Sequence, residues 1–163
     1  MIDVTQFSTM SIKELLTYIV DEFHIPLRKD LIEMRQNGIW LMKTCEQSEK
    51  LQLVMTLFNQ FETEFLNHIN TEENEFFLWV LKLEKWEKFE KKFIHKFFNT
   101  QDREHKEIKS YLKNWLEVLN HLCLDDNEYY LNLKKLLNKM IEDTKIHTYL
   151  EDEILKEKIE ELI

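Results

Sequence analysis

The chain has 163 residues, 44% of them hydrophobic, which suits one domain with a substantial core, yet it holds a single glycine and a single proline. Strand connections draw heavily on those two residues, so the composition predicts an all-α fold. With 22 basic against 31 acidic residues, the formal net charge of −9 disfavours nucleic acid and anionic membrane surfaces as partners.

No run approaches the ~20 apolar residues of a membrane span. The start, Met1-Ile2-Asp3-Val4-Thr5-Gln6, lacks the basic and apolar regions of a secretion signal. The only cysteines, Cys45 and Cys123, form neither a disulfide framework nor a Cys-x-x-Cys motif, and a cytoplasmic setting is expected.

Residues 1–10 read as a short leader. Ser11-Ile12-Lys13-Glu14 is a capping box opening a first helix over 12–36, with Leu15, Leu16, Ile19, Val20, Phe23, Leu27 and Leu31 inward. Pro26 predicts a kink close to His24, and Asn37-Gly38 a left-handed cap that ends the helix. A second helix should begin near Cys45–Ser48 and carry Val54, Leu57, Phe58, Phe61, Phe65, His68, Glu72, Phe76 and Trp79 on one stripe. Its end, and the start of the next helix, fall in the aromatic-rich stretch that includes Trp86, Phe89, Phe93, Phe97 and Phe98. Asp102 is expected to cap the third helix, with Ile108, Leu112, Trp115, Leu116 and Leu119 inward. After the polar break Leu124–Glu128, a fourth helix runs from about 128 nearly to the end, with Leu133, Leu136, Leu137, Met140, His147, Ile154 and Leu155 inward. Short connections between long amphipathic helices favour a single up-down-up-down four-helix bundle over residues 1–163.

Each predicted helix carries one inward histidine: His24, His68, His105 and His147. They stand about 40 residues apart, one long helix plus a turn each time. His68 and His147 have a glutamate four residues on, Glu72 and Glu151, one turn along the same face. With 23 glutamates in the chain, roughly one His-x-x-x-Glu pair arises by chance. Here, however, both pairs lie within apolar stripes, where an unpartnered carboxylate is costly and a cation removes the cost. His95 and His121 lie about half a turn around from the others and read as surface residues. Nitrogen and carboxylate donors without thiolate admit iron, manganese or zinc. Six ligands exceed one tetrahedral zinc and suit two ions sharing bridging carboxylates. A ferritin-like reading needs Glu-x-x-His pairs, and only Asp21/His24 and Asp102/His105 approximate them.

The stretch ending Phe23-His24-Ile25-Pro26-Leu27-Arg28, then His68-Ile69-Asn70-Thr71-Glu72-Glu73, Glu104-His105 and Ile146-His147-Thr148-Tyr149-Leu150-Glu151, resembles in order the hemerythrin-like domain of the iron–sulfur cluster repair di-iron proteins. The resemblance covers nearly everything after residue 11. It implies two iron ions with an oxo or hydroxo bridge, held by His24, His68, His105 and His147 as terminal ligands and by Glu72 and Glu151 as bridges. It also implies Glu64 and Glu104 as acidic groups beside the metals, and reaction with oxygen or nitric oxide under stress. Iron–sulfur proteins are the implied iron acceptors. The chain departs from the family in lacking the usual N-terminal cysteine pair and the phenylalanine-proline endings, here Phe77-Leu78 and Lys156-Glu157. Oxygen-carrying hemerythrins use a fifth histidine where Lys109 stands, and an aspartate at the spacing of Asp152, which leaves Asp152 an alternative bridge to Glu151. Two rival readings are a reversible oxygen or nitric oxide sensor, and a metal-free helical module that docks a partner through residues 79–98.

Overall fold

The computed structural model describes residues 5–46, 49–83, 91–122 and 124–162. Among them every regular element is helical and no strand occurs. The predicted leader contains a helical turn, α1 (Thr5–Ser8), whose Phe7 is buried edge-on against Tyr18 at 5.1 Å. The capping box is present. Ser11 Oγ accepts from the Glu14 backbone N–H at 3.3 Å, and Glu14 Oε2 accepts from the Ser11 N–H at 2.8 Å.

From that cap α2 (Ile12–Ile19) passes through a π-turn, Val20–His24, into α3 (Ile25–Thr44). Pro26 stands in the first turn of α3, where its missing N–H is tolerated, and the departure from regular α-helix beside His24 is a π-turn. The predicted stop at Asn37-Gly38 is wrong. The helix continues to Thr44, and both residues lie buried inside it. Gly38 is there for a different reason: a Cβ at this position would fall 2.6 Å from Met55 Sδ. It leaves room for the tip of the Met55 side chain on α4 and caps nothing.

The second rod is α4 (Glu49–Thr71), a π-turn over Glu72–Phe76, and α5 (Phe77–Leu83). The third, α6 (Lys91–Asn120), begins a full three turns before the predicted cap. Asp102 lies inside it, exposed, and accepts from Lys106 Nζ at 2.6 Å. An i,i+4 pair of this kind supports a helix interior, whereas an N-cap must have its N–H side free. Of the aromatic stretch before it, Trp86, Phe89 and the side chain of Phe93 lie outside the described residues. Phe97 stacks on Phe76 at 3.8 Å. The fourth rod opens at Asn127, whose Oδ1 accepts from the N–H groups of Tyr129 and Tyr130 at 3.0 and 3.1 Å. It comprises α7 (Glu128–Tyr149), a π-turn over Leu150–Leu155, and α8 (Lys156–Glu161).

The long helices pack pairwise: α3 on α7 and on α4, and α6 on α4 and on α7. One continuous core runs from Phe7 to Ile159 and includes Phe58, Phe61, Phe65 and Trp115. Each such ring fully removed from water contributes roughly 1.5–3 kcal/mol. The predicted inward residues Ile108, Leu112, Leu119, Leu133, Leu137 and Met140 are buried, while Leu116 and Leu136 are partly covered. No described helix is long and apolar enough to cross a membrane.

Candidate metal centre

Among the described residues ten polar side chains are buried, and six of them, His24, His68, Glu72, His105, His147 and Glu151, lie midway along the four rods. Three of the six lie in π-turns: His24 ends the first, Glu72 opens the second and Glu151 is second in the third. A π-turn adds one residue to the helical ring and re-aims its side chains, a feature common at functional sites. His68 and His147 precede the second and third π-turns by one turn, and His105 sits on the regular helix α6.

The ligand atoms form two overlapping groups, His24/His147/Glu72/Glu151 and His68/His105/Glu72/Glu151, each within 4.8 Å. Glu72 divides itself between them. Its Oε1 lies 3.1 Å from His68 Nε2 and 3.6 Å from His105 Nε2, and its Oε2 lies 3.4 Å from His24 Nε2 and 3.9 Å from His147 Nε2. Glu151 Oε2 lies 3.1 Å from His147 Nε2 and 3.3 Å from His105 Nε2.

Behind the imidazoles stand further carboxylates. His24 Nδ1 donates to Glu73 at 2.8 Å, His68 Nδ1 to Glu104 at 3.0 Å, and His105 Nδ1 to Asp152 at 2.8 Å. A neutral imidazole with its proton on Nδ1 presents a bare Nε2. The Nε2 atoms of His24 and His147 face each other at 2.9 Å, and those of His68 and His105 at 3.1 Å. Bare nitrogens at that separation repel unless a proton or a cation lies between them. Glu72 Oε2 and both oxygens of Glu151 are buried without a hydrogen bond, as is His147 Nδ1. Orphaned buried oxygens facing converging lone pairs are the donor set of a cation site, and the residues could hold a metal ion.

With no cation, protons take its place. Burial opposes charge on His68, but the Glu72 and Glu104 carboxylates overcome it and push its pKa up to about 9. Burial likewise opposes charge on His105, where Asp152, Glu151 and Glu72 together push it up to about 12. Burial alone would raise Glu72; its imidazole neighbours, His68 first, hold it well below the ordinary carboxylate range. Metal and protons therefore compete for the same nitrogens.

Of the two acidic neighbours implied by resemblance, Glu104 supports His68. Glu64 is exposed one turn before His68, on the wall of a cavity of about 340 Å³ that Glu104 also lines, and among the described residues it makes no hydrogen bond to the cluster. Asp152 does not join either group. It supports His105 from outside, and Glu151 fills the inner place.

Sequence reasoning missed Glu73, which supports His24 and takes a bidentate contact from Arg28, and Gln101, which donates to Glu72 Oε1. Gln101 precedes His105 by one turn on the same face, so spacing could have found it. Glu73 follows Glu72 directly, inside the same π-turn. His95 and His121 are exposed as expected, and His121 Nδ1 donates to the Glu117 carbonyl at 2.7 Å. A search of protein-family models finds no match to this chain, and a search of curated proteins finds none either.

Proposed function

We propose that this chain is a non-haem di-iron protein of the hemerythrin-like type, its four rods forming an up-down-up-down bundle around two ions. It reacts with nitric oxide or oxygen species and serves iron–sulfur cluster repair or iron delivery in the cytoplasm. One observation carries the two-metal part: Glu72 points one carboxylate oxygen at each histidine pair. A single ion needs no such division. The choice of iron rests on the nitrogen and carboxylate donor set and on the resemblance of the four histidine motifs.

In this reading His24 and His147 would hold one ion and His68 and His105 the other, with Glu72 and Glu151 shared between the two groups. When bound, the pair would supply one-electron redox chemistry toward a diatomic ligand. The chain does the rest. Glu73, Glu104 and Asp152 fix three imidazole tautomers with Nε2 inward. Phe23, stacked on His147 at 5.8 Å, and Phe77, stacked on His24 at 5.7 Å, hold those rings and exclude water from one side. Gln101 holds Glu72 through Oε1, and Glu151 has no such restraint, so Glu151 is the carboxylate freer to shift.

Metal analysis of protein purified without chelators tests the proposal, with about two irons per chain and near-ultraviolet oxo-to-iron absorption expected. Nitric oxide titration of the reduced protein should change that spectrum stoichiometrically. Protein purified in iron-rich medium that retains no transition metal would refute it and leave a helical interaction module. A stable oxygenated spectrum in air would favour a carrier or sensor over a repair protein.

A further inference from the structure

The two halves of the centre match in their ligands and differ in what stands behind them. Behind His24, the Glu73 carboxylate also takes both arms of Arg28, Nη1 at 2.7 Å and Nη2 at 3.2 Å. Arg28 is anchored in turn by Asn70 Oδ1 at 2.9 Å. The second imidazole of that half, His147, has no acceptor at Nδ1. Behind His68 and His105 stand Glu104 and Asp152, and among the described residues neither forms an ion pair with a lysine or arginine. One half therefore has an outer carboxylate bound by a guanidinium, and the other has two outer carboxylates without such a partner, Arg103 acting on Glu104 only as a weak charge at longer range.

We infer that the two subsites are unequal: the His68/His105 pair takes a metal ion first and holds it more tightly, and the His24/His147 pair holds the ion that exchanges. This rests on the two-metal reading above. A carboxylate that accepts the Nδ1 proton raises the donor strength of the opposite nitrogen, and loss of such a partner typically weakens metal binding by roughly 10–100-fold. Arg28 draws on the same Glu73 lone pairs and lessens that effect at His24. His147 receives none of it. The free charges of Glu104 and Asp152 add direct attraction for a dication, reduced by their partial exposure. Gln101 opposes the trend by donating to Glu72 Oε1, but a neutral amide withdraws less charge than a guanidinium paired with a carboxylate. For iron delivery, the consequence is that the ion beside Glu73 leaves first.

Cobalt(II) titration of the chelator-stripped full chain, read by visible absorption against a competing chelator, tests the inequality. Two steps are expected. Glu104→Gln and Asp152→Asn keep an acceptor for the Nδ1 proton and remove only charge, so each should lower the first binding constant by roughly tenfold or more. Glu73→Gln should lower the second constant and spare the first. All three positions are partly exposed, and variants are compared only at matched helical circular dichroism. If Glu104→Gln and Asp152→Asn instead spare the first step and weaken the second, the inequality is overturned, because a symmetrical centre fills its intact half first. Uptake of one cobalt or none overturns the two-metal reading itself.

Discussion

Glu72 is 1% exposed, reaches both histidine pairs and accepts from Gln101, so no neutral side chain can reproduce its role. Glu72→Gln keeps the shape and removes the charge. Iron content should fall from about two per chain to one or fewer, with helicity retained, and metal analysis beside circular dichroism reads both. The pH dependence follows from the imidazoles. In the metal-free chain His68 and His105 have pKa values above the ordinary 6.5, about 9 and about 12. Groups raised in the folded state add stability that is fully present below 6.5 and is lost as pH rises through the folded value. Metal-free protein should therefore unfold at lower urea at pH 10 than at pH 6. Metal binding displaces those protons, so cobalt affinity should rise steeply with pH over the same range. A flat affinity between pH 6 and 9 would contradict imidazole ligation. Glu73 runs the other way. His24 and then Arg28, against some burial, hold it at about 2, so its contribution is present above 4.5 and fades in acid. At this scale the four histidines and two glutamates were legible from spacing within apolar stripes. Glu73 was not, because a partner across a helix interface has no signature along its own chain, whereas Gln101, one turn before His105, was open to the same spacing argument.

Helices were legible wherever apolar residues recur at helical spacing, and their ends were less so. Gly38 shows why. A glycine after a helical stripe signals a left-handed cap, yet the same residue type serves where two helices touch, and only the neighbouring helix decides between them. Gly38→Val should cost about 1–3 kcal/mol by overpacking against Met55. Gly38→Ala should stay within about 1 kcal/mol of the parent, since the atoms in the way are the mobile tip of Met55 and alanine gains helix propensity. Denaturant unfolding of both variants distinguishes a packing glycine from a capping one. Asn127→Ala should cost about 1 kcal/mol through loss of the cap on α7. The π-turns carried no local signal. Val20–His24, Glu72–Phe76 and Leu150–Leu155 differ in composition, and what they share is a ligand at the cluster.

Across the whole molecule, buried carboxylates and imidazoles sit at the middle of a largely apolar core, and a bound cation would stabilise that arrangement by mass action. Chelation should lower the melting temperature by several degrees and re-addition of iron(II) under anaerobic conditions should restore it. An unchanged melting curve after complete metal removal would argue that the cluster is held by protons alone. From the order of residues alone followed the helical class, the inward face of each rod and the six candidate ligands, because helical periodicity and burial preference are properties of a single segment. Tertiary structure alone decided that Glu151 and not Asp152 turns inward, that Glu72 divides its oxygens, and that Arg28 pairs with one outer carboxylate while two others lack an ion pair with a lysine or arginine. Those outcomes depend on distances between segments far apart in the chain, and no periodicity within one segment encodes them.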